Sequence, residues 1–286
     1  MTAAQDWALR HLPLTRSALA RLDTDGLQVA LDMDRSAAAE GLAAALAEAG
    51  VTALWGQDAD VVIGAAQVTI NGTVHALDAT ALGHLYAIEI GLGQAAVMAL
   101  LDITNLQIAG RPVGVIGYDP AGRSIAAHAR AMGARVTVID ADPVAAVRAL
   151  HDCHDVGDGA AVRTVDVVFV TSARAAALVM AHADHLRPDT LIANTSPHVG
   201  PRNFADLNPA TDVRAHVTEH TRSDSSCIKL IAQGAPLQTA AAQGLPLEGR
   251  DVLFALALST LHHRTSPDPL TAAERDVAAD ILTHKT

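Results

Sequence analysis

The stretch between Pro112 and Asn194 constrains this chain more than any other. It contains four apolar runs, PVGVIG (112–117), RVTVID (135–140), VDVVFV (165–170) and TLIAN (190–194), rich in valine and isoleucine. Apolarity here is continuous, as in strands buried on both faces, whereas a half-exposed strand would alternate. The intervening segments predict helices through Met132, over 143–151 and over 174–185, with short loops between them. Strand, helix, strand, helix, strand in this order predicts a parallel, doubly wound sheet built from right-handed crossovers. Aromatic residues make up only 2 % of the chain while half of it is apolar. Alanine, valine and leucine must therefore form the core, which favours helices packed closely on a parallel sheet.

The flanking segments predict a second, smaller α/β lobe. Residues 5–21 have helical spacing at Trp7, Leu9, Leu12, Leu14 and Leu19, with Leu12-Pro13 kinking or resetting the helix. LQVALDM (27–33), an alanine-rich helix from Ser36 to Ala49 stopped by Gly50, VTALW (51–55) and DVVIGA (60–65) form a β-α-β unit. Asn71-Gly72 between β-branched runs predicts a hairpin with a type I′ turn. Residues 79–107 are helical, interrupted at Gly91-Leu92-Gly93, and connect the lobes. VRAHVTEH (213–220) alternates with period 2 and is expected to pair with CIKLIA (227–232). An apolar helix over 251–262 and an amphipathic one over 270–284 close the chain. The expected fold class is thus α/β, a Rossmann-type doubly wound parallel sheet with a second α/β lobe. The expected domains are a small lobe over 1–90, a nucleotide-binding domain over 91–235, and C-terminal helices over 236–286. Those helices are expected to pack back on the first lobe or on a partner subunit.

A net charge of −11 argues against nucleic acid as a partner, because phosphate backbones demand basic surface. No uninterrupted apolar stretch of about 18 residues occurs, so no membrane span is expected. The N-terminal segment lacks the long apolar run of a secretory signal. Cys153 and Cys227 give no disulfide framework. These features predict a cytoplasmic protein.

The sharpest motif is Gly117-Tyr118-Asp119-Pro120-Ala121-Gly122, where the first strand becomes a helix. A dinucleotide fingerprint reads G-x-G-x-x-G at this place, and an acid ending the next strand binds the ribose hydroxyls. Asp140 ends RVTVID and fits that role; an acid there favours NAD over NADP, since it repels a 2′-phosphate. Asp119, however, stands where the middle glycine belongs. Only glycine lets backbone approach a diphosphate closely, and a carboxylate adds like-charge repulsion. Asp119-Pro120 is also a good helix start in its own right, with Asp as N-cap and Pro at the first helical position. The carboxylate then fills the anion site of the helix N-terminus, with Arg123 available to offset its charge. Two readings of the turn stay open: a cofactor site holding NAD, and a capped helix without a dinucleotide.

Several short motifs occur in a definite order: Gly91-Leu92-Gly93-Gln94, Thr104-Asn105-Leu106, Gly117-Tyr118, Gly122-Arg123, Gly133-Ala134-Arg135-Val136, Asp142-Pro143, Phe169-Val170-Thr171, Ala193-Asn194, and Gly244 with Pro246 in AAAQGLP. In order and spacing they resemble adenosylhomocysteinase, the NAD-dependent enzyme that splits S-adenosylhomocysteine into adenosine and homocysteine. The resemblance covers residues 76–260 well and 5–55 loosely. It implies NAD contacts at Gly117, Tyr118, Asp119, Gly122, Arg123, Asp140, Thr171 and Asn194, and a homo-oligomeric assembly. The first lobe then corresponds to a reduced substrate domain. A large block of that domain is absent between Trp55 and Leu77, and a catalytic aspartate and glutamate go with it. Asp32 falls where the family has a substrate-domain histidine. The family's lysine and aspartate before its GTGQS stretch fall near Gly83 and Ala87, and the serine of that stretch is Ala95. Pro197 falls on a family histidine, with His198 one place on, and Leu245 replaces another. The family's C-terminal Lys-Tyr extension is missing as well. Oxidation of a ribose hydroxyl, proton abstraction and thiol elimination each need a positioned acid or base, and almost none of those groups remain. Hydrolase activity is not expected.

Asp32, His198 and Asp119 are the remaining candidates for acid–base work. Asp32 and Asp34 follow a strand end, and His198 lies in NTSPHVG at the carboxyl edge of the sheet, where ligands bind in such folds. Glu219 and His220 share a strand on which one should face outward. His151, Cys153 and His154 in HDCHD do not amount to a closed metal site, and no metal is expected. Three functions remain open: NAD-linked redox chemistry on a small molecule between the lobes, cofactor-independent acid–base chemistry in the same place, and a non-catalytic protein that binds a nucleotide or a protein partner.

Overall fold

The computed structural model describes residues 6–7, 10–207, 210–240 and 244–284. The chain divides into two compact units, one formed by 1–88 with 245–286 and the other by 89–244. The C-terminal helices therefore belong to the first unit, and the second unit runs on past residue 235.

In the first unit, Pro13 takes the first turn of helix α1 (Pro13–Ala20); the predicted helical positions at 8 and 9 lie outside the described residues. Strand β1 (Gln28–Asp32), helix α2 (Ala37–Glu48), strands β2 (Thr52–Trp55), β3 (Val61–Gly64), β4 (Gln67–Ile70) and β5 (Thr73–Ala76) follow. Their sheet has the order β2-β1-β3-β4-β5, with β1 parallel to β2 and β3, and β4 and β5 added antiparallel. Asn71 and Gly72 both have positive φ, the backbone that a type I′ hairpin turn requires. Helix Leu247–His262 is buried through its centre, from Asp251 to Leu261, in a core shared with Leu12, Leu31, Leu42 and Ile63. Leu12, preceding α1, has no capping side chain. Asp251 supplies the cap instead: its carboxylate accepts the Leu14 and Thr15 N–H groups at 3.0 and 2.8 Å and the Thr15 hydroxyl at 2.6 Å.

The helix expected to break at Gly91–Gly93 continues through it. Short helix α3 (Ala81–His84) runs into a π-helical stretch (Leu85–Leu92) and then helix α4 (Gly93–Thr104). Gly93 answers to packing, since a Cβ there would lie 2.2 Å from the Ser124 carbonyl oxygen. The 24 residues Ala81–Thr104 are long and apolar enough to cross a membrane by length and composition, which the segmented reading of the sequence did not anticipate. Their apolar positions Ala96, Val97 and Leu100 are fully buried in the core of the second unit.

The second unit carries the doubly wound sheet. Its elements are β6 (Pro112–Ile116), α5 (Pro120–Ala131), β7 (Arg135–Ile139), α6 (Pro143–His151), β8 (Asp155–Gly157), β9 (Val167–Val170), α7 (Ala173–Ala181), β10 (Leu191–Asn194), β11 (Ala210–Arg214), β12 (Val217–Thr221), β13 (Cys227–Ile231) and α8 (Leu237–Ala240). The strand order is β11-β12-β13-β10-β9-β6-β7-β8. From β8 to β13 every pair is parallel. Relabelled by appearance, those six strands read 3-2-1-4-5-6, the Rossmann order, whose crossover point lies between β6 and β9. Side chains alternate between two cores, Val113, Val115 and Phe169 facing α4 and α5, and Ile116, Val168 and Val170 facing α7.

Two details depart from the sequence reading. Strand β8 was not anticipated, because Asp155–Gly157 is three residues long and carries one apolar side chain. The segment 213–220 is not one strand: His216, at φ +61°, turns the chain between β11 and β12. The expected pairing of β12 with β13 is present and antiparallel.

Candidate functional site

The carboxyl ends of β6, β7 and β9 meet around the turn Gly117–Gly122. Gly117 has φ +97°, and a Cβ there would lie 2.2 Å from Thr171 Oγ1, whose hydroxyl donates to the Ile116 carbonyl at 2.7 Å. A Cβ on Gly122 would lie 2.0 Å from the Gly117 carbonyl oxygen. Gly117 is thus required by its positive φ and by the Thr171 side chain, and Gly122 by close backbone packing.

Two amides of this turn, those of Tyr118 and Gly122, are spent on the chain's own carboxylates. Asp119 is the N-cap of α5: its Oδ1 accepts the Gly122 N–H at 2.9 Å, with Pro120 at the first helical position. Asp140, after β7, accepts the Tyr118 N–H at 2.6 Å through Oδ2 and the Asp142 N–H at 2.9 Å through Oδ1. Each Asp140 oxygen keeps further acceptor capacity, suited to a pair of vicinal hydroxyls.

A cavity of about 510 Å³ opens beside these groups. Gly117, Tyr118, Asp119, Asp140 and Thr171 line it together with Ile139, Arg174 and Leu178. Five of the eight residues expected to contact a cofactor therefore share one cavity. Gly122 stands just inside the same turn. Arg123 lies elsewhere: its Nε is 3.4 Å from Asp152 Oδ2, and it lines a different cavity of about 550 Å³. The cation that lines the same cavity as Asp119 is instead Arg174, in the first turn of α7. Its signal in the sequence was its place three residues after Thr171, where the helix following β9 opens at the crossover.

Asn194 is buried, and its amide is occupied. Its Nδ2 donates to the carbonyls of Val199 and Gly234, both at 2.9 Å, and its Oδ1 accepts the Ser196 N–H at 2.9 Å. These bonds fix the loop bearing His198, which is exposed. Asp32 ends β1 in the first unit and is also exposed. Asp119 and His198 thus belong to the second unit and Asp32 to the first.

A further polar cluster was not legible beforehand. The Tyr118 hydroxyl donates to Asp152 Oδ2 at 2.8 Å. Burial, then Asp152, raises the Tyr118 phenol above its ordinary range, while the Tyr118 bond and then Arg123 hold the Asp152 carboxyl low. The His154 ring packs edge-on to Tyr118, and burial keeps it below its ordinary value. His220 is buried, and Glu219 lies 3.7 Å from Lys229. Cys153 and Cys227 are both free. Among the described residues no group of three or more His, Cys, Asp or Glu side chains is placed to hold a metal ion.

Residues 90–244 match the family model of the S-adenosyl-L-homocysteine hydrolase NAD-binding domain. The adenosylhomocysteinase of Saccharolobus solfataricus is 32 % identical over 177 residues, covering 60 % of this chain and 42 % of that protein. That of Thermotoga maritima is 31 % identical over 205 residues, covering 68 % and 51 % respectively. The chain thus spans about half, or less, of the length of these relatives. Among solved structures, the transhydrogenase from Sinorhizobium meliloti aligns over 86 % of this chain and 78 % of that one, at 14 % identity and a TM-score of 0.45.

Proposed function

Because this chain belongs to the S-adenosyl-L-homocysteine hydrolase family, whose domain here is the NAD-binding one, we propose that it binds that nucleotide without performing the family's hydrolysis. The observation that carries this reading is Asp140, which lines one cavity with Ile139 and Leu178 at the crossover of the sheet. The adenosine half of the cofactor fits. Asp140 offers acceptors for the ribose hydroxyls, and Ile139 and Leu178 offer apolar surface for a base. The diphosphate half fits poorly, because the Gly122 amide at the helix N-terminus is bonded to Asp119, whose carboxylate adds like charge. When bound, NAD supplies hydride-transfer chemistry. This chain's own residues hold the sugar, fix the turn and keep the phosphate position negatively charged.

The proposed loss of the hydrolytic reaction is supported by the side chains that stand at the family's functional positions. By the resemblance, the family's functional positions fall at Asp32, near Gly83 and Ala87, and at Ala95, Pro197 and Leu245. None of the apolar or glycine side chains among them can carry a proton. Isothermal titration with NAD, alongside release of homocysteine thiol from S-adenosylhomocysteine, tests the proposal. Binding of NAD without thiol release is expected. Thiol released above the protein-free rate, or no binding of NAD or adenosine, contradicts it.

A second reading keeps redox chemistry on a small molecule. It is favoured by His198, exposed on a loop at the carboxyl edge that Asn194 holds in place. Oxidation of an added alcohol, read as NADH absorbance and abolished by His198→Ala, would distinguish it from binding alone.

A further inference from the structure

Resting on that reading, we infer that the adenosine moiety carries the affinity of this site, so that the chain selects nucleosides over the dinucleotide. Two donors of the turn, the Tyr118 and Gly122 amides, are already committed to carboxylates. Pro120 has no N–H. The Gly122 N–H is given to the Asp119 carboxylate, the Arg123 N–H to the Asp119 carbonyl at 2.9 Å, and the Tyr118 N–H to Asp140. A diphosphate bound at a helix N-terminus draws on such donors, and at Gly122 the protein's own carboxylate has taken the ligand's place.

Charge points the same way. Asp119 and Asp140 both line the cavity, against the single cation Arg174. Arg123, the other basic residue of the turn, is held at Asp152. A diphosphate would bring two further negative charges to a site that already carries net negative charge, whereas a nucleoside brings none. The Asp119 side chain also occupies the position where glycine would let backbone and phosphate come close. What the cavity retains is a diol acceptor, Asp140, beside the apolar side chains of Ile139 and Leu178. Those two features recognise a ribose and a flat base. The ligand class is a purine nucleoside without a phosphate group.

The test is calorimetric titration of the full chain, and of Asp119→Asn and Asp119→Gly, with adenosine, AMP, ADP-ribose and NAD. Asn caps helices about as well as Asp, so Asp119→Asn removes the charge while keeping the fold. The wild type should bind adenosine at least tenfold more tightly than NAD or ADP-ribose, with AMP between. Both variants should gain at least tenfold for NAD and ADP-ribose and change less than twofold for adenosine. NAD binding to the wild type tenfold more tightly than adenosine would overturn this inference while leaving the nucleotide-site reading intact. Failure of all four ligands to bind all three proteins would overturn both.

Discussion

Replacing Asp140 separates what this carboxylate does for the fold from what it does for a ligand. In Asp140→Ala the Tyr118 and Asp142 N–H groups lose their acceptors, held at 2.6 and 2.9 Å. The Asp142 amide is exposed and is taken over by water at little cost. The Tyr118 bond is partly buried and charge-assisted, worth about 1.5–3 kcal/mol. A loss near 2 kcal/mol lowers the melting temperature by roughly 4–8 °C for a unit of this size. Asp140→Asn keeps one acceptor for Tyr118 and should lose only about 1 kcal/mol. It nevertheless removes the negative charge facing the cavity, so both variants should bind adenosine about ten- to a hundredfold more weakly, the equivalent of one charged hydrogen bond. Scanning calorimetry reads the first quantity and titration with adenosine the second. A melting point of Asp140→Ala within 1 °C of wild type, with adenosine affinity within twofold, would refute both assignments.

Other perturbations probe the frame around the site. Asp251→Ala strips the buried cap from α1, leaving two N–H groups and the Thr15 hydroxyl without their acceptor. A loss of about 3 kcal/mol is expected, seen as a fall in the urea midpoint; a change below about 0.5 kcal/mol would mean that the cap is not formed. The Tyr118–Asp152 pair makes stability depend on pH at both extremes. Asp152 is held below its ordinary 3.8, so its contribution is in place above that pH and is lost as pH falls through the depressed value. Tyr118 is held above its ordinary 10.0, so its contribution is in place below pH 10 and fades as pH rises beyond it. Tyr118→Phe should flatten the alkaline decline and soften the acid one in urea midpoints measured across pH; unchanged profiles would contradict the pairing.

The sheet could be read from the sequence because its strands are buried on both faces. PVGVIG, RVTVID, VDVVFV and TLIAN announce themselves by continuous apolarity, and the turn residues Gly117, Asp119, Pro120 and Gly122 mark where a strand hands over to a helix. Strand β8 has no such signature, since its three residues form an edge and need little apolar surface. Gly91 and Gly93 looked like a break, yet Gly93 permits close contact with α5, a tertiary requirement that local propensity does not encode. The capping role of Asp119 was legible because it is local, involving an amide three residues away. The partners of Arg123 and Tyr118 were not, since Asp152 approaches them from the end of another helix. Nor did the sequence reveal that Asn194 spends its amide on the His198 loop, which depends on Gly234 forty residues further on.

A crystal structure of the protein grown with excess NAD puts the turn itself to the test. The account predicts Asp119 still bonded to the Gly122 amide, an adenosine group ordered against Asp140, and no phosphate oxygen on the turn. A diphosphate oxygen accepting the Gly122 N–H, with Asp119 swung out to solvent, would contradict it.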